Sequence, residues 1–456
     1  MDLEFLVGGL PRSGTTAVAN LFNFHPAAHC CAQESAIAPM CLHFAGSAPV
    51  AQRHLPSVRQ EVFRWLDLAL RDIGDHHFDA NAAFEAERQW NRFDAQRVRF
   101  FAHRISDLLE AGLYGEELIR RSLAAFRNEI ATDTQRAFIG EKSPDNVFAL
   151  ARFGQLGAKL AVVMKREPCG FVRSMRLVQT GAERFDKLFR QSFWKMLGMY
   201  INYAEAIARL RPAAGLLVVD YEDLLAYPLS FTSKFFATAG FTPNAVAEMR
   251  AAASLRPQKS RRAWADLPAA ELAIVWHVTQ DARAQLGYNA GYYARQGLLE
   301  QPSSEAFCVA ADGAHAMTGF HSNGADNPLL WLADVGRLAV ETMPQTTKVT
   351  FSFWVNLPPS VLPLGGVATL DICAGSPEHV VARLAVTGGP CDCEVTIDLH
   401  EVAPLLASSA GALRIFTFRA SHAFCPVALP ASDAAAGFDS PDPLMKFGLM
   451  RPPVFE

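Results

Sequence analysis

The chain has 456 residues, half of them hydrophobic and 19% charged, with a formal net charge of −4. That length exceeds one ordinary core and points to two domains, and the composition excludes an intrinsically disordered chain. Charge is unevenly placed. Residues 1–300 hold 35 Lys/Arg against 31 Asp/Glu, whereas residues 301–456 hold 7 against 15. An anionic ligand is therefore expected on the first part, and the acidic remainder argues against a nucleic-acid surface.

Along the chain, Leu3, Phe5, Leu6 and Val7 predict a short buried strand. Gly8-Gly9-Leu10-Pro11-Arg12-Ser13-Gly14-Thr15-Thr16 follows, and then a helix to about Phe24. Backbone N–H groups at a helix start point into such a turn, and the helix dipole there favours an anion. Gly9 and Gly14, with four residues between them, give the spacing of a phosphate-binding loop. The nucleotide-hydrolase form would carry Lys at position 15, where this chain has Thr15, and the cation sits inside the loop as Arg12. The plainer reading is a Gly-Pro turn between a strand and a helix.

From about 57 to 130 the pattern is helical: Val58, Val62, Phe63, Leu66 and Leu70 recur at helix spacing, as do Ile105, Leu108, Leu109 and Leu113. Residues 159–164 and 216–219 read as a second and a third buried strand, so the first part is an α/β unit with a mostly parallel sheet. Ligands of such sheets sit beyond the carboxyl ends of the strands, where Arg12 and Arg166 fall. After Gln301-Pro302-Ser303-Ser304, a plausible linker, strand-like runs occupy 335–341, 347–355, 366–373, 380–386, 393–399 and 412–420. Val349, Phe351, Phe353 and Val355 alternate with more polar neighbours, which predicts a sheet with one buried face in an all-β sandwich or jelly-roll-like domain.

Nine cysteines show no Cys-x-x-Cys pair and no zinc spacing, so no metal site is expected. Cys391-Asp392-Cys393 places two thiols on one strand face and reads as structural. An odd count without a framework fits a reducing compartment. No apolar run reaches the ~18 residues of a membrane helix, and the first strand leaves no room for a signal peptide. The expectation is a cytoplasmic protein of bacterial type with no membrane span.

The Gly9–Thr16 loop resembles the 5′-phosphosulfate loop of sulfotransferases that use 3′-phosphoadenylyl sulfate, in particular the Pro-Arg-Ser-Gly-Thr-Thr subtype. Two further segments carry the resemblance. Strand 159–164 runs into Arg166 and, eight residues later, Ser174, which match the Arg and Ser of the family's 3′-phosphate segment. A guanidinium with a hydroxyl near a helix start binds a phosphomonoester through charge-assisted hydrogen bonds. Gly140-Glu141-Lys142-Ser143-Pro144 is similar to the segment in which the bacterial and tyrosylprotein types carry an active-site Lys. Tyr221-Glu222-Asp223-Leu224 resembles the end of the family's third strand, and Leu286-Gly287-Tyr288 its usual close.

The resemblance implies a P-loop-like three-layer fold around a central parallel sheet, with a sulfotransferase domain over 1–298 and an accessory domain over 305–456. It implies Arg12, Ser13, Gly14, Thr15, Thr16, Arg166, Ser174 and Tyr221 as cofactor-binding residues, and Arg12, Glu34 and Lys142 as catalytic ones. In this subtype a glutamate takes the proton of the acceptor hydroxyl. Glu34 stands at that place if one residue is inserted after His25-Pro26, Gln33 if none is, and His29 and His43 are fallback bases. The implied reaction is sulfuryl transfer to a hydroxyl, with no metal. A carbohydrate or polysaccharide is the preferred acceptor, because the β-rich region resembles modules on bacterial polysaccharide enzymes around Gly319-Phe320 and Trp331. Tyrosyl peptides and small alcohols are alternative acceptors. The rival classes are a small-metabolite kinase, which would want Lys at 15, and a glycan-binding protein with a vestigial loop.

Overall fold

The computed structural model describes residues 3–30, 34–70, 95–180, 192–255, 267–295, 313–322, 330–343, 345–355, 367–374, 379–387, 391–402, 413–420, 447–449 and 453–456. The chain forms two compact units, one of residues 1–186, 203–263 and 285–288, the other of 187–202, 264–284 and 289–456.

The first unit is built on β1 (Phe5–Gly9), β2 (Ala28–Cys30), β3 (Phe138–Lys142), β4 (Leu160–Lys165) and β5 (Leu216–Asp220), in the order β2-β3-β1-β4-β5 with every pair parallel. Between them run α1 (Thr15–Asn23), α2 (Ile37–Ala45), α3 (Leu55–Leu70), α4 (Ala95–Glu110), α5 (Gly115–Thr134), α6 (Asn146–Phe153) and α7 (Pro168–Thr180). Next come α8 (Phe193–Ala208), which starts in the other unit, and α9 (Tyr221–Ala226), α10 (Pro228–Ala239) and α11 (Ala245–Ser254). This is the parallel α/β architecture expected for the first part of the chain.

β1 is central and completely buried, because both faces of a parallel sheet are covered by crossover helices. One face packs Phe5 and Val7 against Val18, Leu21 and Phe22 of α1 and Phe235 and Phe236 of α10. The Phe5 and Phe22 rings stack at 4.0 Å. Gly140 on β3 lies under Phe5, where a Cβ would meet the ring at 1.9 Å. Register pairs Val7 with Lys142 and Gly9 with Met164, so the carboxyl ends of β1, β3 and β4 come level at one edge.

Two strands of this sheet, β2 and β3, escape the periodicity reading. β2 has three residues, and β3 carries Glu141 and Lys142, both buried. Residues 71–94, within the stretch read as helical, lie outside the described residues.

In the second unit, β6 (Gly313–Ser322), β7 (Leu330–Glu341), β8 (Lys348–Val355), β9 (Ala368–Ala374), β10 (Val380–Val386), β11 (Cys391–Asp398), β12 (Leu413–Ala420), β13 (Phe447–Leu449) and β14 (Val454–Phe455) form one antiparallel sheet. Its main path runs β10-β9-β12-β7-β13-β8-β11, with β6 on β7 and β14 on β8. β8 and β12 are three steps apart along it, about 14 Å in a flat sheet. Yet the Phe351 and Phe416 rings meet at 5.3 Å, and Phe353 and Phe418 at 5.7 Å. The sheet therefore curls over its own apolar face, and the predicted alternation of Val349, Phe351, Phe353 and Val355 supplies that core. Cys391 and Cys393 do share a face, their Sγ atoms 3.8 Å apart. The strand around 313–322 was not among the predicted runs, and the Gly319-Phe320 region falls within it.

Among the described residues no helix is long and apolar enough to cross a membrane, and no group of three or more His, Cys, Asp or Glu could hold a metal ion.

Candidate active site

The turn after β1 is held by backbone bonds from two other strand ends. Gly9 N–H donates to Pro144 O at 3.0 Å and Leu10 N–H to Met164 O at 2.9 Å. That approach needs glycine: Gly9 has φ +120°, and a Cβ there would sit 2.1 Å from Met164 O. Arg12 also adopts a left-handed conformation, φ +62°, a strained choice for a non-glycine residue that clusters at functional sites. An Nη1 bond of 2.8 Å from Arg166 to the Arg12 carbonyl fixes it. Ser13 is fully buried, and its hydroxyl donates to Leu10 O, so it braces the loop from within.

Gly14, φ +87°, is the N-cap of α1, and a Cβ on it would meet the Tyr221 ring at 2.7 Å. The helix has no side-chain cap bond there and no acidic residue in its first turn. Its amino end thus retains the positive character that attracts an anion. The Thr15 and Thr16 hydroxyls make no hydrogen bond among the described residues.

Two guanidiniums converge beside this loop. Arg12 Nε lies 3.4 Å from Ser174 Oγ on α7, which ties the loop to the β4–α7 segment. Burial, and after it the neighbouring Arg166, lowers the Arg12 guanidinium from its ordinary range. Arg166 is buried, stacks over the Tyr221 ring at 4.3 Å and has Nε 3.5 Å from Glu222 Oε1. Burial, ahead of Asp220, pushes the Glu222 carboxyl well above the ordinary carboxylate range. The two guanidiniums stand close enough for Arg166 to act on Arg12, and a bound anion would offset that repulsion. Below Arg166, Glu167 accepts from Cys169 N–H at 2.9 Å and from Gly170 N–H, which closes the start of α7 with a side chain.

A second pair stands at the end of β3. Lys142, 2% exposed, has Nζ 3.0 Å from Glu34 Oε1, while the Glu34 side chain is half exposed. Its neighbours make a parallel contact: Ser35 Oγ donates to Glu141 Oε1 at 2.5 Å. The Asn146 amide donates to Glu141 Oε2 at 2.5 Å and to Val7 O at 3.0 Å. Next to them Tyr203 O–H donates to Asp145. Ser35, Glu141, Asn146 and the Asp145–Tyr203 pair were missed by sequence reading, because each is a polar residue whose partner is distant in sequence.

Three histidines lie in the same stretch of sequence, His25, His29 and His43. His25 Nδ1 accepts from Ala27 N–H at 3.2 Å, which puts the ring proton on Nε2, donating to Thr242 O at 3.0 Å. That ring is a structural link. His29 is buried on β2, and His43 packs against the Phe44 and Trp65 rings at 4.9 and 5.7 Å. Gln33 lies outside the described residues. Leu286-Gly287-Tyr288 returns to the end of β4, where Lys165 Nζ donates to Leu286 O at 2.5 Å and sits 4.6 Å from the Tyr288 ring centre.

Comparison with known proteins gives three kinds of result. No curated protein sequence matches the chain. Among solved structures, the chain is similar to the sulfotransferase domain of the olefin synthase of Synechococcus PCC 7002, with 15% identity over 56% of this chain and 77% of that one, TM-score 0.33. It is similar to a sulfotransferase of Mycobacterium tuberculosis H37Rv, with 17% identity over 62% and 77%, TM-score 0.33. It is also similar to one from Alicyclobacillus acidocaldarius, with 14% identity over 65% and 100%, TM-score 0.32. These scores are too low for a comparison of individual residues. The family model described as the sulfotransferase family matches residues 4–243, more than half of the chain and every strand of the parallel sheet. The chain belongs to the sulfotransferase family.

Proposed function

We propose that this sulfotransferase uses 3′-phosphoadenylyl sulfate, through a loop of the Pro-Arg-Ser-Gly-Thr-Thr subtype, and sulfates a hydroxyl on a carbohydrate or polysaccharide. The observation that supports it is the convergence of residues 12, 34, 142, 166, 174 and 221 at the carboxyl ends of the five strands β1 to β5 and on the segments that follow them. The residues fit such a group: the buried Arg166 guanidinium with Arg12 at the surface beside it, an uncapped helix start and a backbone turn that only Gly9 permits.

When bound, 3′-phosphoadenylyl sulfate supplies the sulfuryl group. The N–H groups at the start of α1, with the Thr15 and Thr16 hydroxyls, hold the 5′-phosphosulfate, and Ser13 and Gly14 keep the loop in shape for it. Arg166 and Ser174 bind the 3′-phosphate, and Tyr221 keeps the Arg166 fork in its plane. Arg12 and Lys142 place positive charge where negative charge grows on the bridging oxygen, an electrostatic contribution usually the largest in group transfer. Glu34 takes the proton from the acceptor hydroxyl, held in place by Lys142. All of this lies within 1–298, which we take as the catalytic domain. The glycan preference is supported by the antiparallel β-rich region, taken as an accessory domain over 305–456.

Calorimetry with 3′-phosphoadenosine 5′-phosphate and with ATP·Mg tests the donor site. The chain is expected to bind the former, and Arg166→Ala to weaken that binding by ~1.5–3 kcal/mol, the worth of a hydrogen bond to a charged group. Unchanged affinity in Arg166→Ala, or preference for ATP·Mg, sinks the assignment. Transfer of labelled sulfate to a panel of glycans, tyrosyl peptides and alcohols then identifies the acceptor.

A further inference from the structure

We propose that Glu141 is a positioning residue of the active site: its buried carboxylate grips Ser35 and thereby seats Glu34 against Lys142. The inference rests on the reading of Glu34 and Lys142 given above. Two consecutive residues of β3 hold two consecutive residues of the segment after β2, in reversed order. Glu141 takes the Ser35 hydroxyl at 2.5 Å, and Lys142 takes the Glu34 carboxylate at 3.0 Å.

The two contacts differ in strength. The Glu34 side chain is half exposed, and an ion pair open to water on one side contributes little on its own. Glu141 and Ser35 are fully buried, so their bond is charge-assisted, unscreened and costly to break. The grip extends further. Asn146 donates to the second oxygen of Glu141 and to the carbonyl of Val7, on the strand that leads into the Gly9–Thr16 loop. One carboxylate therefore joins the segment of the base, the strand of the lysine and the strand of the anion loop.

The grip depends on charge. Both donors, Ser35 O–H and Asn146 N–H, favour the carboxylate, as does Lys142, while burial, the largest influence, and Glu34 oppose it. The balance pushes the Glu141 carboxyl up to about 7. Once protonated, the carboxyl loses the charge assistance of both bonds, and its new O–H has to be accommodated beside Ser35 or Asn146. The hold on Ser35, and through it on Glu34, is then weakened.

Carbon-13 NMR of the full chain labelled at glutamate Cδ reads this directly, with resonances assigned by Glu141→Gln and Glu34→Gln. The expected wild-type result is a Glu141 titration close to neutral pH and a matching step in the Glu34 resonance. That step should vanish in Glu141→Gln and in Ser35→Ala, which removes one buried hydroxyl and keeps the backbone. A Glu34 resonance without the step in wild type overturns the proposal. So does a step that survives in Ser35→Ala, since it would be a direct charge effect of Glu141. Acetylation of Lys142 by acetic anhydride, followed by peptide mass spectrometry, gives the second readout: faster in both variants than in wild type as expected, or equal in all three, which overturns it. Wild-type binding of 3′-phosphoadenosine 5′-phosphate, measured on the same samples, separates the two readings. Loss of that binding removes the donor site and leaves the NMR test of the grip intact.

Discussion

In the proposed reading Glu34 is the base and Lys142 its partner in one ion pair, and a substitution at Glu34 separates chemistry from placement. Glu34→Gln keeps the size of the side chain and removes the proton acceptor. Binding of 3′-phosphoadenosine 5′-phosphate should stay close to wild type, while turnover on the acceptor falls by ~10²–10⁴, as for loss of a general base. Full activity in Glu34→Gln, with loss in a Gln33 or His29 variant, would move the base to that residue. Glu141 makes a separate demand, on stability. Its folded pKa of about 7 lies above the ordinary carboxylate value, so the native state holds its proton more tightly than the unfolded chain. The sign follows: the stabilisation is complete below the unfolded pKa and is lost as pH rises through the folded one. Each unit of difference corresponds to ~1.4 kcal/mol, so stability should decline by ~3 kcal/mol between about pH 4.5 and 7 from this group. Burial raises Glu222, Glu167 and Asp145 as well, and they act in the same direction. Urea midpoints measured across that range should fall with pH in wild type and fall less steeply in Glu141→Gln. Parallel slopes would place the Glu141 titration elsewhere.

At the scale of elements, the strands legible in the sequence are those whose burial is written in apolar runs. β1 and β4 are of this kind, and so is the Val349–Val355 alternation of β8. β5, read as a third buried strand, is an apolar run on the edge of the sheet in which Val218 is exposed and only Val219 and Asp220 are buried. β2 and β3 are not of this kind. β3 spends two of its five positions on Glu141 and Lys142, which are buried because they find partners at Ser35, Asn146 and Glu34. Periodicity reads hydrophobicity, so a strand stabilised by satisfied polar groups looks like a loop. The same reason divides the site. Arg12, Arg166, Ser174 and Lys142 are legible from motif spacing, whereas Ser35, Glu141 and Asn146 acquire meaning only from contacts across the sheet. Gly140 is a further example, a glycine in a strand whose cause is the Phe5 ring packed over it. Gly140→Ala should force Phe5 off its stack with Phe22, an overpacking cost of ~1–3 kcal/mol. A lowered urea midpoint with an unchanged slope checks this; an unaffected midpoint would mean that Phe5 has room to turn.

For the whole molecule, the decisive fact is that the loop, both arginines, the Glu34–Lys142 pair and Tyr221 all belong to one compact unit, 1–186, 203–263 and 285–288. The other unit contributes none of these groups, but it is not confined to the residues after 298. It includes 187–202 and 264–284, and within it Trp194 stacks on His315 at 4.8 Å and Arg337 donates to Asn202. A cut at 298 therefore leaves the proposed site residues whole and strips Trp194 and Asn202 of their partners on β6 and β7. The fragment 1–298 should melt at a lower temperature than the full chain yet bind 3′-phosphoadenosine 5′-phosphate with nearly its affinity, as calorimetry would read. Turnown on acceptors of two lengths then assigns the role of the sheet. If the sheet binds a polymeric acceptor, the fragment loses more on a long chain than on a short one, because tethering raises effective concentration only for an acceptor long enough to engage both units. That holding role favours a neutral acceptor, since residues 301–456 carry an excess of eight acidic over basic residues and repel a chain already sulfated. Equal loss on both lengths in a folded fragment would make the sheet a brace, its contribution limited to the Trp194 and Asn202 contacts. Loss of nucleotide binding in a fragment with intact circular dichroism would overturn the placement of the site in the first unit.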